Sequence, residues 1–308
     1  MAELALRAVG LTRDFGAVRA VDGLSFDVPR GIVFGFLGPN GSGKTTTIRL
    51  FLGLLDPSAG SASVLGFDTR HEGDEIRARC GALLEFNGLY ERMTARDNLE
   101  FYARAYRMDA QDRAARIREL LEHIGLWDRR DDLVGGWSRG MKQKLAVARA
   151  LLPRPDLIFL DEPTAGLDPG AGAALRNDLE TLARQEGTTI FLTTHHLADA
   201  ERLCARVAVI RAGKLLAVGS PADLRAQRGG GRLEMRGRFS EAAVAALRAH
   251  PIVESATLDE VGLHVQMRTS ESPAPLVRLL VERGAEVEEV RRQASLEDAF
   301  LALTEEAA

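Results

Sequence analysis

The sequence predicts an α/β protein, in which helices cover a sheet of parallel strands. Four short, continuous apolar runs are typical of strands buried on both faces, and they occupy residues 32–37, 156–160, 188–192 and 206–210. Segments with helical periodicity accompany these runs, at residues 44–54, 111–124, 140–152 and 170–185. Because alternating strands and helices indicate parallel neighbours, we expect the four strands to share one sheet.

Length and composition indicate an ordinary globular protein with more than one domain. The 308 residues exceed the usual size of a single domain, and 45% are hydrophobic while 27% are charged. The formal net charge of −4 gives no overall attraction for nucleic acid, so no nucleic-acid partner is expected. No apolar run approaches the roughly 18 residues that cross a bilayer, and residues 1–15 lack the pattern of an export signal. We therefore expect a cytoplasmic chain.

The chain divides at a glycine run into two predicted domains. Residues 227–231 have no reason to lie inside a helix or strand, so we expect a linker between a domain at 1–226 and a domain at 232–308. Within the first domain, residues 86–137 are charged and helical in pattern, which predicts a helical subdomain and a candidate docking surface. The second domain has the pattern strand, helix, strand, strand, helix, strand, which predicts a small α+β, ferredoxin-like fold.

A phosphate-binding loop follows the first apolar run. The pattern G-x-x-x-x-G-K-[ST] is matched by Gly38, Pro39, Asn40, Gly41, Ser42, Gly43, Lys44 and Thr45. Glycines allow backbone N–H groups to surround phosphates, the following helix directs its positive end at them, and Lys44 neutralises their charge. Thr45 offers a hydroxyl to Mg²⁺, and we assign Thr46 to the same ATP site. The alternative is a glycine-rich turn with an incidental lysine.

Two carboxylates end the second apolar run. Asp161 and Glu162 follow 157–160 directly, and ligands of open α/β sheets bind at the carboxyl ends of the strands. Asp161 is predicted to hold Mg²⁺, and Glu162 is placed to accept a proton from the water that attacks the γ-phosphate. Alternatively, Asp161, Glu162 and Pro163 form only a strand-ending turn.

Over residues 4–224 the chain resembles the nucleotide-binding subunits of ABC transporters, in particular the daunorubicin-resistance type of drug-exporter ATPase. The resemblance implies a P-loop NTPase core of the ABC ATPase type with a helical subdomain. It implies that Phe15 stacks on adenine, although a lone aromatic residue is also compatible with a core position. It further implies that His195, in Thr193-Thr194-His195-His196, contacts the γ-phosphate and takes part in catalysis with Glu162 and Lys44.

The resemblance also implies a site completed by a second subunit. Residues 137–144 resemble the family signature, with Ser138, Arg139, Gly140 and Met141 reaching the nucleotide of the other subunit. Asp168, in a loop after the acidic pair, resembles the residue that crosses the dimer interface. Arg139 stands where the commonest signature has glycine, and Met141 where it has glutamine, a departure that is usual in this exporter branch.

One further departure concerns the metal site. Glu85 occupies the position at which the family has a glutamine, and we expect it to join Thr45 and Asp161 as a magnesium ligand. A carboxylate adds negative charge beside the phosphates and cannot donate a hydrogen bond. The resemblance therefore leaves open whether metal dependence and turnover match those of relatives with glutamine.

Together these features predict an ATPase that drives transport. Two copies are expected to bind two ATP molecules head to tail and to power a separate transmembrane permease on the inner face of the cell membrane, in the export of drugs, lipids or other small molecules. A soluble ABC-type ATPase acting in DNA repair or on ribosomes is disfavoured, because no coiled-coil, zinc or duplicated nucleotide module is present. An ATP sensor that hydrolyses poorly is a third reading, suggested by Glu85.

Overall fold

The computed structural model describes residues 3–228, 232–259, 262–268, 272–292 and 296–305. Its contacts divide the chain into two units, Met1–Val218 and Gly219–Ala308. The prediction that residues 227–231 lie outside any helix is wrong for 227 and 228, which end the helix Pro221–Arg228, and residues 229–231 lie outside the described part.

The first unit contains ten strands and seven α-helices among its described residues. The strands are β1 (Leu4–Phe15), β2 (Val18–Pro29), β3 (Val33–Leu37), β4 (Ala59–Val64), β5 (Phe67–Asp68), β6 (Cys80–Leu83), β7 (Leu157–Asp161), β8 (Thr189–Thr194), β9 (Arg206–Arg211) and β10 (Lys214–Gly219). The helices are α1 (Lys44–Phe51), α2 (Gly73–Arg79), α3 (Ala95–Ala105), α4 (Ala110–His123), α5 (Arg139–Leu151), α6 (Pro169–Glu186) and α7 (Leu197–Leu203).

The larger sheet has the strand order β10-β9-β3-β8-β7-β6. Its pairs β9/β3, β3/β8, β8/β7 and β7/β6 are parallel, which confirms the predicted sheet of four buried strands and adds β6 at its edge. Each residue of β3 and of β7 is buried, because helices or a second sheet cover both faces. This arrangement brings the carboxyl ends of β3, β7 and β8 to one edge.

A four-stranded sheet of order β2-β1-β4-β5, whose neighbouring strands are antiparallel, packs on the larger sheet. Aromatic side chains join the two layers: the ring of Phe26 in β2 stacks on Phe34 and Phe36 in β3, at centroid distances of 5.7 and 5.6 Å. Phe51 of α1 and Phe191 of β8 extend this cluster. The core therefore fixes α1, and with it the phosphate-binding loop, against both sheets.

Residues 86–137 carry α3, α4 and two short 3-10 helices, and their helices pack with α5. Thr94 caps α3 by accepting a hydrogen bond from the N–H of Asp97 at 3.0 Å. Arg116 of α4 is fully buried and donates to the carbonyl of Leu151 at 2.8 Å, at the C-terminal end of α5. A cation in that position favourably meets the negative end of the helix dipole.

The second unit has its own core. It contains α8 (Pro221–Arg228), β11 (Arg232–Arg238), α9 (Glu241–Arg248), β12 (Val253–Leu258), β13 (Leu263–Met267), α10 (Ala274–Glu282), β14 (Glu286–Arg292) and α11 (Leu296–Glu305). From β11 to β14 the order of elements is the predicted one, and the sheet order is β12-β13-β11-β14. The first and last helices, α8 and α11, pack on each other.

None of the helices in the described ranges combines the length and the apolar character that a membrane span requires.

Candidate nucleotide site

The phosphate-binding loop connects β3 to α1 and depends on glycine at two close approaches. A Cβ on Gly38 would lie 2.5 Å from the hydroxyl oxygen of Ser42 and 2.6 Å from the carbonyl oxygen of Ile210. Gly43 has φ +102° and packs against the carbonyl of Ala20, so no larger residue fits there. Helix α1 begins directly after it at Lys44, so that its free N–H groups face the loop.

Lys44 is buried in the loop with its ammonium group beside oxygen atoms. Its Nζ donates hydrogen bonds to the carbonyl oxygens of Gly38 at 2.7 Å and Pro39 at 3.2 Å. It also lies 3.1 Å from Oε1 of Glu162, at ion-pair distance but without hydrogen-bond geometry. These contacts hold a positive charge where the loop would surround a phosphate chain.

Asp161 ends β7 and is bound by two hydroxyl groups. Thr45 donates to its Oδ2 and Thr193 to its Oδ1, each at 2.5 Å. Asp161 is 7% exposed, so these donors compensate for much of the water that its carboxylate has lost. Sequence reasoning missed Thr193; the available signal was a hydroxyl residue at the carboxyl end of a buried strand.

Glu162 has a left-handed backbone conformation, and its side chain contacts a histidine. Its φ of +50° lies in the left-handed region, which costs a non-glycine residue roughly 1–2 kcal/mol. Its N–H is held by the carbonyl and hydroxyl oxygens of Thr193, at 3.2 and 3.0 Å. The side chain reaches His195, whose Nδ1 is 2.9 Å from Oε2. Strain of this kind concentrates at functional sites.

A cavity of about 500 Å³ lies over these residues, a volume within the range of small-molecule sites. Its lining residues are Ala20, Asn40, Gly41, Gly43, Lys44, Thr45, Thr46, Leu84, Glu85, Arg139, Gln143, Asp161, Glu162 and Ala165. Within the described residues, the buried Ser42 hydroxyl and Oε1 of Glu162 have no hydrogen-bond partner. A bound nucleotide and its water would supply such partners, so the residues fit this ligand.

The oxygen donors at the base of the cavity also fit a magnesium ion. The described residues contain no group of three His, Cys, Asp or Glu side chains that could hold a metal unaided. Mg²⁺ commonly takes one or two protein oxygens and completes its shell with water and substrate phosphates. Thr45 and Asp161 provide such a pair, and Glu85 lines the same cavity.

The predicted signature residues lie at the start of α5. Ser138 caps the helix by accepting from the N–H of Met141 at 3.3 Å, while Gly140 lies beside Ala171 of α6. Asp168 caps α6 in the same way, accepting from the N–H of Ala171 at 2.9 Å. The side chain of Arg139 lines the cavity of its own chain.

Two of the predicted site residues have few contacts with the rest of the site. Glu85 is exposed and makes no hydrogen bond or ion pair with any residue that the structure describes. Phe15 ends β1 with 45% of its surface exposed, and the guanidinium of Arg13 lies 4.7 Å from its ring centroid. Phe15 is not among the residues that line the cavity, although Ala20, a few residues later, is.

Comparison with known proteins identifies the family. Residues 21–165 match the model of the ABC transporter family. The daunorubicin resistance ATP-binding protein DrrA3 of Streptomyces coeruleorubidus is 38% identical over 309 residues, which cover 99% of this chain and 97% of the relative. The chain belongs to the ABC transporter family. This ABC ATPase is also 36% identical to the bacitracin transport ATP-binding protein BcrA of Bacillus licheniformis, over 97% of this chain and 96% of the relative.

A solved structure relates this ABC ATPase to a known assembly. An ATP-binding cassette in a dimeric, post-hydrolysis state with ADP and Pi is 25% identical, with a TM-score of 0.63, and the match covers 70% of this chain and 98% of that one. The predicted recognition, fold class and ATPase activity are thereby confirmed. The chain is the ATP-hydrolysing component of a transport system.

Proposed function

We propose that this ABC ATPase works as a head-to-tail homodimer and powers the export of a drug, lipid or other small molecule through a permease that is a separate polypeptide. The observation that carries the proposal is the full-length match to two ATP-binding proteins named for daunorubicin resistance and bacitracin transport. Both matches span the second unit as well as the nucleotide-binding unit. The protein would then lie at the inner face of the cell membrane, held there by the permease.

In the proposed reaction each residue acts through the contacts described above. Lys44 neutralises phosphate charge, and Glu162 orients the attacking water and accepts its proton. His195 holds the carboxylate of Glu162 through its Nδ1 contact and places its ring beside the γ-phosphate. Thr45, Asp161 and Glu85 would hold Mg²⁺, which when bound would neutralise the charge that develops on the ADP leaving group.

We assign the second half of each site to the partner subunit. Ser138, Gly140, Met141 and Asp168 lie at the starts of α5 and α6, where free backbone N–H groups and capping side chains are exposed. Helix starts of this kind suit a phosphate presented by another molecule. The dimeric relative with ADP and Pi supports this arrangement, because its nucleotide-binding unit has the same fold.

An exposed aromatic surface supports the permease contact. Phe86 is 81% exposed, and Tyr90 and Phe101 are each nearly half exposed, with their rings 4.9 Å apart. The buried side-chain amide of Asn98 fixes the loop after Glu85. It donates a hydrogen bond to the carbonyl of Tyr90 and accepts one from the N–H of Tyr90. Large apolar groups on a held loop are typical of a protein-binding surface.

The decisive experiment is magnesium-dependent phosphate release by the purified chain, with and without Glu162→Gln, while size is followed by light scattering. We expect the variant to lose at least about 100-fold in turnover, since general bases contribute on that scale, and to form a dimer with ATP. Glu122→Gln, which alters an exposed carboxylate of α4, serves as the matched control. A Glu162→Gln variant as fast as the parent would remove the assignment.

A further inference from the structure

The last strand of the second unit, β14, lies at an edge of its sheet. It pairs with β11 on one side, and none of the strands that the structure describes pairs with its other side. A register shift leaves Glu288 as an extra residue, and from Glu289 to Arg292 the pairing with β11 is regular. The free N–H and C=O groups of an edge strand can bind the backbone of another strand. The segment after Glu288 is therefore able to accept a further strand.

The charges of β14 change sign around Val290. In the sequence, residues 288 and 289 are glutamates, whereas residues 291 and 292 are arginines. On the paired side, β11 matches this pattern, because Arg236 lies opposite Glu289 and Glu234 lies opposite Arg291. Opposite charges that face each other across two strands are stabilising, and like charges are destabilising. The free side of β14 therefore favours a strand that offers a cation opposite Glu289 and an anion opposite Arg291.

A second copy of β14, running antiparallel, meets this requirement in one register. When Val290 lies opposite Val290 of the second copy, each Glu289 faces an Arg291. A shift by two residues would place Glu289 opposite Glu289 or Arg291 opposite Arg291, and parallel strands in register would align like charges. A shift by one residue would turn the side chains of one strand to the other face of the sheet. The charges thus select a two-fold arrangement, which closes at two copies.

An apolar groove lies beside this edge. It has a volume of about 570 Å³ and runs between α10 and β14, where Val277, Val281 and Val290 line it. Val281 is 56% exposed. A second copy paired along β14 would bring its own Val290 to the groove and cover apolar surface there. The other edge strand, β12, has Glu254 as its one charged residue and offers no comparable complement.

We propose that β14 is a docking surface for a second copy of this chain, and that pairing about Val290 joins two four-stranded sheets into one sheet of eight strands. The contact requires no nucleotide, so it goes beyond the proposed ATP-dependent dimer. Charges on an edge strand repel most other strands. Here their order makes the edge complementary to itself, which provides specificity.

The size of the nucleotide-free full-length chain tests the contact. Sedimentation velocity would be measured at about 100 µM protein, because short interfaces associate weakly. We expect wild-type dimers. Glu289→Arg and Arg291→Glu, made separately, each convert two attractive pairs into two repulsive ones, so the dissociation constant should rise at least about tenfold. The chain with both substitutions exchanges the two charges and should dimerise like the wild type.

A mixture of the two single variants separates pairing between copies from pairing within one chain. Glu289 and Arg291 also form an ion pair in their own chain, at 2.7 Å, and both single variants lose it. In a mixed dimer the charges across the interface are opposite again, although the pair within each chain stays broken. We expect the mixture to dimerise where each variant alone does not. Arg118→Glu and Glu122→Arg, which break an exposed ion pair of α4, serve as controls and leave dimerisation unchanged.

Three results would each overturn the proposal: a monomeric wild type under these conditions, single variants that dimerise as well as the wild type, or a mixture that stays monomeric. The proposed function is tested separately, through the ATP-induced dimer of Glu162→Gln at about 1 µM, where a weak contact along β14 is dissociated. A failure of one contact therefore leaves the test of the other unaffected.

Discussion

At the scale of single residues, the hydroxyl of Thr193 connects the two acidic residues of the site. It donates to Asp161 and accepts from the N–H of Glu162. Thr193→Val keeps the shape but leaves Oδ1 of the buried Asp161 without its donor, so we expect a loss of about 1–3 kcal/mol in the free energy of unfolding. Urea denaturation measures it, with Thr181→Val on α6 as the control; equal stability of the two variants would contradict the account.

A second prediction concerns Cys80, a free thiol that is buried in β6. Burial raises its pKa from 9.0 to about 12, and burial raises the pKa of Cys204 as well. The unfolded chain therefore releases these protons at lower pH than the folded chain. The stabilising contribution is complete below pH 9 and is lost as pH rises from 9 toward 12.

For Cys80 the expected decrease in the free energy of unfolding is about 1.4 kcal/mol per pH unit in that window. Urea denaturation at pH 8 and pH 10 measures it, and Cys80→Ala provides the reference because it removes the titrating group. If the wild type and Cys80→Ala lose equal free energy of unfolding between pH 8 and pH 10, the raised pKa of Cys80 is refuted.

The site was predictable from the sequence where its residues are adjacent. Lys44 and Thr45 belong to one loop, and Asp161 and Glu162 end one strand, so local pattern and strand burial were sufficient. Thr193 was missed because its contact with Asp161 joins positions 32 residues apart, and no local pattern encodes such a distance. The position of Arg139 relative to Gly166 depends on packing between α5 and the loop before α6, which is equally nonlocal.

At the scale of elements, Asp168 has a structural role that can be separated from its proposed role across the dimer. It caps α6 ahead of Pro169. Asp168→Ala should lower the free energy of unfolding by about 1 kcal/mol, whereas Asp168→Asn retains the cap and the stability. If Asp168→Asn nevertheless slows hydrolysis by the dimer, the carboxylate acts at the interface. An equal free energy of unfolding for Asp168→Ala and Asp168→Asn would show that Asp168 does not stabilise α6 as a cap.

The predicted helices and buried strands agree with the structure to within a few residues, because continuous apolar runs and helical periodicity are strong signals. The antiparallel sheet was not predicted. Register shifts interrupt the pairing of β1 with β2, and the first three residues of β4 are exposed, so the two-residue alternation of a half-buried strand is broken. Pairing between distant strands, rather than local sequence, defines that layer.

At the scale of the whole molecule, the two compact units meet before α8, whereas the predicted boundary after residue 226 falls inside α8. Leu224 of α8 is 1% exposed, and α8 packs on α11 in the second unit. A glycine run is visible in the sequence, but the packing of helices separated by some seventy positions is not. The assignment of α8 to the second domain is therefore a structural proposal.

Truncation tests that proposal. A chain of residues 1–219 should fold and bind nucleotide as a monomer, because β10 completes its sheet. A chain of residues 1–226 would expose the apolar face of α8, including Leu224, and we expect it to bind a hydrophobic fluorescent dye and to aggregate more readily. Equal dye binding by both chains would place α8 with the first domain.

The left-handed backbone conformation of Glu162 lowers the stability of the fold at the same position that hydrolysis requires. Glycine adopts φ +50° without steric penalty, so Glu162→Gly would relieve roughly 1–2 kcal/mol of strain while removing the proton acceptor. Laboratory evolution of this protein under heat alone would therefore favour an inactive chain that still binds ATP. A screen for robust variants must accordingly reward phosphate release as well as survival at high temperature.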